Sequence, residues 1–128
     1  MGITQNIINK LFRNKSFQAT DITFICEQDG QPEKELKKEW CALFEKRTSV
    51  ISAYLVRARY GDQKYSQDNF DVILCIKNKN GNDPKLAQET ASIFSSRFNK
   101  NEHVDILFIN DDHELKIKEV ANTFYKKC

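Results

Sequence analysis

VISAYLVRARY (Val50–Tyr60) and FDVILCIK (Phe70–Lys77) are the two stretches on which the fold turns. Both are rich in β-branched and aromatic residues. The polar segment from Gly61 to Asn69 joins them, so they read as the two strands of a hairpin. Upstream, residues 20–27 alternate, with Ile22, Phe24 and Cys26 on one face and Thr23 and Ile25 on the other. Asp29-Gly30-Gln31-Pro32 supplies a turn, and Pro32 suits a helix start. Residues 33–46 then carry Leu36, Trp40, Leu43 and Phe44 at helical spacing.

Downstream, Asn80-Gly81 ends the second strand, and Asp83 can cap a helix with Pro84 at its first position. That helix, 84–98, aligns Leu86, Thr90, Ile93 and Phe94. Val104 to Ile109 reads as a short strand, and Asp111 or Asp112 can cap a final helix with Ile117, Val120, Ala121 and Phe124 as its buried stripe. At the other end, Ile3, Ile7, Ile8, Leu11 and Phe12 make a stripe over residues 3–14, the spacing of an N-terminal helix.

Without the terminal helices the order is strand, helix, strand, strand, helix, strand. The expected fold class is α+β: a ferredoxin-like βαββαβ plait with a four-stranded, mainly antiparallel sheet and extra N- and C-terminal helices. The 128 residues suit one domain, with 1–19 as a helical extension and 20–128 as the α+β core. Alternation assigns Ile22, Phe24, Tyr54, Val56, Val72, Leu74, Ile76, Val104, Ile106 and Phe108 to one core face. Thr23, Ile25, Ala53, Leu55, Ile73, Cys75, Leu107 and Ile109 fall on the other. That second face is too apolar to stand bare in water, and the terminal helices are its expected cover.

Charge narrows the setting. Lys plus Arg number 20 and Asp plus Glu 18, so neither half of the chain has the basic excess of an electrostatic nucleic-acid binder. The acidic window runs from Glu102 through Asp105, Asp111 and Asp112 to Glu114, with no Lys or Arg between them. No apolar run approaches the roughly 20 residues of a membrane span, and no signal-peptide core is visible. Cys26, Cys41, Cys75 and Cys128 contain no C-x-x-C spacing. Reduced thiols in the cytoplasm are the expectation.

Catalytic patterns are sparse. The histidines are His103 and His113. A metal set could be written from His103, Asp105, Asp111, Asp112 and His113, but its two halves flank a six-residue strand, roughly 20 Å apart. No metal or other cofactor is therefore expected. Gly30, Gly61 and Gly81 are isolated turn glycines rather than a phosphate loop. RNA-recognition plaits stack bases on aromatics of the central strands, where this chain presents Asp71, Ile73 and Cys75. Arg57, Arg59, Tyr60 and Lys77 are what an RNA reading would use, and nucleic acid is disfavoured as a partner.

In a plait, one end of the sheet gathers the 27–35 turn, the 61–69 hairpin and the approach to the last strand. Glu27, Asp29, Glu33, Asp62, Asp68, Asp71, Glu102 and Asp105 would meet there, a candidate partner-binding end for a basic protein.

Ile22 to Ile25, Gly30-Gln31-Pro32, the Leu36/Trp40/Phe44 helix and Ala53-Tyr54-Leu55 together resemble the C-terminal domain of the bacterial enhanced serine sensitivity protein. The Val104 to Phe108 strand, followed by a terminal helix with Phe124-Tyr125, fits the same pattern. The similarity spans residues 20–127. That family has no established catalytic residues, so the resemblance implies none here. Where the family has another whole domain, this chain shows one short predicted helix.

The expectation is a non-enzymatic bacterial protein-binding domain. Its concrete form is an immunity protein, of the kind used in contact-dependent growth inhibition, that neutralises a cognate basic toxin such as a nuclease. The alternatives are a regulatory or housekeeping binding module related to serine metabolism and, behind it, an RNA-binding plait. A homodimer is left open, and no membrane partner is expected.

Overall fold

The computed structural model describes residues 22–61, 70–98 and 102–127, so the predicted N-terminal helix lies outside the described residues. In chain order the elements are β1 (Ile22–Glu27), α1 (Gln31–Glu45), β2 (Val50–Tyr60), β3 (Asp71–Asn78), α2 (Pro84–Arg97), β4 (Asp105–Phe108), α3 (Asp111–Lys118) and β5 (Tyr125–Lys126). Most boundaries follow local chemistry. Pro32 opens α1, where its missing N–H costs nothing, and Glu33 favours the same positive end. Asp83 caps α2 by accepting from the Leu86 N–H at 3.1 Å. α3 is capped by Asn110 rather than by Asp111 or Asp112. Its Oδ1 accepts from the His113 N–H at 2.8 Å, while the Asn110 N–H donates to His113 Nδ1 at 3.1 Å.

The sheet is mixed and five-stranded, in the order β1-β2-β3-β4, with β5 also on β2. β1, β2 and β3 run antiparallel in turn, and β4 is parallel to β3. This corrects the expected ferredoxin-like plait. A plait seats β1 between β3 and β4, whereas here β1 returns through α1 to lie antiparallel beside β2, and β4 takes the far edge. The expected four strands become five because β2 is 11 residues long. β1 occupies its edge from Val56 to Tyr60, leaving Ser52 and Ala53 to pair with β5.

That open edge explains the second correction. The predicted final helix stops at Lys118, and Asn122 and Thr123, both weak helix formers, carry the chain back to the sheet. The Thr123 hydroxyl donates to the Ala53 carbonyl at 2.8 Å, and the Phe124 N–H reaches the same carbonyl at 3.1 Å. The proposed stripe is therefore divided. Ile117, Val120 and Ala121 pack on one face of the sheet, and Phe124 crosses to the other, against Trp40 and Phe44.

A third correction concerns the faces. Tyr54 pairs with Cys75 and Val56 with Ile73, so these four share a face. Ala53 and Leu55 share the opposite face with Ile76 and Leu74. Within the hairpin strands the alternation from Ala53 to Val56 and from Val72 to Ile76 is as expected, but its phase across the hairpin is shifted by one residue, which exchanges every partner. In β1 an irregularity between Phe24 and Cys26 sets Cys26 opposite Arg57, so Cys26 does not share the face of Ile22 and Phe24 as expected.

The two faces carry two cores. α1 and α2 cover Ala53, Leu55, Leu74, Ile76 and Ile106 with Leu36, Trp40, Phe44, Leu86 and Ala91. Trp40 is fully buried, and its indole N–H donates to the Thr90 carbonyl at 3.0 Å, joining the two helices. On the second face, Ile117 and Ala121 pack with Tyr54, Val56, Ile73 and Cys75. The segment containing α3 thus supplies part of the expected cover. No helix among the described residues is long and apolar enough to cross a membrane.

Candidate functional site

A cleft of about 280 Å³ opens on the helix face near the hairpin end of the sheet. Leu55 and Val72 form its floor, because the corrected register turns both toward α1 and α2. Leu36 comes from the first half of α1. Phe94 and Phe98 come from the end of α2, one turn apart, with rings stacked at 4.6 Å between centroids and 11° between planes. Phe70 closes one side. The Arg57 guanidinium lies 4.4 Å from its ring centroid, and Arg57 Nε donates to Gln28 Oε1 at 2.5 Å.

Around this apolar interior stand Gln28, Glu33, Glu102 and His103. Neither Glu33 nor Glu102 makes an ion pair among the described residues. Glu33 folds its carboxylate back over Gly30, where a Cβ would collide with it. Gly30 itself has an extended backbone (φ 170), so glycine serves there to leave room for the carboxylate rather than to relieve the chain. The arrangement combines an aromatic interior with carboxylates at its mouth. It can desolvate an apolar stem and pair a positive charge.

The structure divides the predicted acidic end into parts. Glu33 and Glu102 line the cleft. Asp71 begins β3, with Oδ1 3.9 Å from Nε2 of His103, another cleft residue. Asp105 is completely buried and accepts from the Tyr60 hydroxyl at 2.5 Å. Burial first, then the Asp105 charge, pushes the Tyr60 hydroxyl far above the usual phenol range. Glu27 and Asp29 accept from Lys37 Nζ at 3.2 and 3.4 Å, and Glu27 also accepts from the Asn122 N–H at 3.1 Å. The Lys37 charge holds the Asp29 carboxyl below its ordinary value. These two acids tie the β1–α1 turn to α1 and the C-terminal segment. Asp62 and Asp68 lie outside the described residues.

The gathering of loops also differs from a plait. β1 begins, rather than ends, at the hairpin end, since Ile22 pairs with Tyr60. The turn after β1 leaves the sheet at the level of Leu55, where the Gln28 N–H donates to the Leu55 carbonyl at 3.0 Å. Gln28 and Glu33 reach the cleft from that flank.

The cation Lys77 donates to Asp111 and, at 3.1 Å, to Glu114. Glu114 also accepts from the hydroxyls of Ser52 at 2.8 Å and Tyr54 at 2.7 Å. Burial alone would raise the Glu114 carboxyl, but these hydrogen bonds and the Lys77 charge outweigh it and hold it at about 2. Burial and the neighbouring Glu114 push the Tyr54 hydroxyl well above its ordinary value. This network joins α3 to the sheet. No three His, Cys, Asp or Glu residues among those described are grouped to hold a metal ion. His103 and His113 stand in separate settings, one at the cleft and one in the α3 cap.

Gln28, Phe98 and His103 belong to the cleft although the acidic pattern did not single them out. Phe98 had a visible signal, since it extends the Leu86, Thr90, Phe94 row by four residues. Gln28 had none, because its place depends on where β1 leaves the sheet.

The mixed five-stranded sheet, with two helices over one face and a cleft that Glu33 and Glu102 help to line, defines the class: an α+β domain. The chain belongs to the family of the SseB protein C-terminal domain, which matches residues 24–127. No curated protein and no solved structure matches it.

Proposed function

We propose that this chain is a non-enzymatic protein-binding domain that docks a basic partner at the cleft, and that the partner is a cognate antibacterial toxin domain which it neutralises in the cytoplasm. The carrying observation is the pairing of an apolar interior (Leu36, Leu55, Val72, Phe94, Phe98) with Glu33 and Glu102 at its mouth. Apolar walls supply affinity by removing surface from water, and the carboxylates guide and orient a cationic partner. A toxin that acts on nucleic acid needs a positive surface, and a carboxylate-bearing cleft seated on that surface competes for the same charges.

A second reading, implied by the resemblance to the enhanced serine sensitivity protein, is a regulatory or housekeeping binding module related to serine metabolism. Tagged protein and its Glu33→Gln/Glu102→Gln variant, used for affinity capture from the cell's own lysate with mass spectrometry, separate the two. Stoichiometric recovery of a basic toxin domain by the parent chain alone supports the immunity reading. Recovery of an enzyme of amino-acid metabolism supports the second. Recovery of the protein alone or as a homodimer overturns both.

A further inference from the structure

We propose that the cleft is an arginine socket: its partner's anchor is one arginine side chain, whose guanidinium lies against the Phe94/Phe98 aromatic pair and whose charge is met by Glu33 and Glu102. This rests on the protein-docking reading above and specifies the chemistry of the docked group.

Three observations point the same way. The rim carries two carboxylates that make no ion pair among the described residues, so both can meet an incoming cation without giving up a contact to one of those residues. The interior is apolar and partly aromatic, with Phe98 stacked on Phe94. Two lining residues already show the pose on a neighbouring side chain, because Arg57, beside the cleft, holds its guanidinium 4.4 Å from the centroid of Phe70 while its Nε donates to Gln28.

Other anchors satisfy fewer of these groups. A guanidinium is planar and weakly hydrated, so it can stack on a ring and present N–H groups to carboxylates in the same pose. A lysine ammonium is compact and strongly hydrated, and would leave the aromatic surface uncovered. An uncharged aromatic side chain would fill the interior but bring Glu33 and Glu102 out of water with no countercharge.

Gly30 supplies an independent lever. A methyl group there meets only the flexible end of Glu33 at close range, so Gly30→Ala displaces the carboxylate and not the backbone. The expected result is an unchanged backbone with the Glu33 carboxylate moved from its present place in the cleft wall.

The test is an amide-resonance NMR titration of the full chain with three probes: N-acetyl-arginine amide, N-acetyl-lysine amide and N-acetyl-phenylalanine amide. The arginine probe is expected to shift Gln28, Glu33, Phe70, Glu102 and His103 saturably, and to bind more tightly than the other two. Glu33→Gln with Glu102→Gln should weaken it by about tenfold or more, the loss of roughly one charge-assisted hydrogen bond. Gly30→Ala should weaken it with an otherwise unchanged spectrum. No arginine binding, equal binding of lysine, stronger binding of phenylalanine, or full retention in the double variant overturns the socket. Failure here is distinct from failure of the parent reading. A toxin captured without arginine binding leaves docking intact and removes the arginine anchor. Arginine binding with no toxin captured leaves the anchor and removes the toxin.

Discussion

The Tyr54 hydroxyl donates a 2.7 Å hydrogen bond to Glu114, and this contact fastens α3 to the middle of the sheet. Ser52 and Lys77 converge on the same carboxylate, so α3 is held by polar contacts beside Ile117 as well as by apolar packing.

Tyr54→Phe keeps the ring in the core and removes one hydrogen bond to a charged acceptor. The expected loss is about 1.5–3 kcal/mol, read as a lower urea midpoint with unchanged slope. The pH dependence has a defined sign. The Glu114 carboxyl titrates at about 2 in the folded chain instead of 4.5, so its contribution is complete above pH 4.5 and vanishes as pH falls through 2. Between those limits the parent protein should lose stability more steeply than Glu114→Gln. Parallel curves in acid denaturation would refute this.

Lys37 connects Glu27 and Asp29 while remaining buried. Lys37→Met preserves much of the stem packing but leaves Glu27 facing Asp29 without the shared cation. A loss of about 1–3 kcal/mol is expected. Added salt should restore part of it, since screening weakens the remaining repulsion. An unchanged midpoint at low and high salt would show that the triad contributes nothing.

Trp40 has no exposed surface, and its indole bonds to Thr90 across the two helices. Trp40→Ala should cost about 3–5 kcal/mol, the range for emptying an aromatic core site. Trp40→Phe should cost less, since it refills much of the volume, although it too leaves the Thr90 carbonyl without that donor. As the single tryptophan, Trp40 also reports unfolding by a red shift in its emission.

Gly81 follows β3 with φ 75, and a Cβ there would meet nothing within 4 Å. Gly81→Ala therefore isolates backbone strain from packing. The expected cost is about 1 kcal/mol, with Gly81→Asn milder because asparagine enters the left-handed region more readily. Equal stability of the three chains would remove the argument for glycine at this turn.

Cys75 is fully buried, and desolvation raises its thiol far above the ordinary value. Cys41 is partly buried and donates to the Phe124 carbonyl at 3.4 Å. A thiol-specific reagent at neutral pH should leave Cys75 unmodified in the native protein and reach it only on unfolding. Cys75 labelling before Cys41 would contradict the packing of the second core.

The sequence by itself determined the local elements. The Leu36/Trp40/Phe44 spacing, the Asp83-Pro84 start and the β-rich runs at 50–60 and 70–77 each encode structure through contacts a few residues apart. Glu33, Asp71 and Glu102 could be nominated for a site on charge alone. Tertiary structure decided everything that depends on pairing over distance. A nine-residue polar connection from Gly61 to Asn69 does not specify hairpin phase, so only the observed register put Leu55 and Val72 on the cleft floor and Tyr54 beside Glu114. The free edge of β2 drew residues 125–126 into the sheet, against the apolar period that suggested a longer helix. Charge showed the same dependence on place. Glu27 and Asp29 met Lys37, Asp105 met Tyr60 in the core, and Glu33 and Glu102 alone of these acids came to line the cleft. A carboxylate's role follows from the solvent and partners around it, and those are properties of the assembled fold.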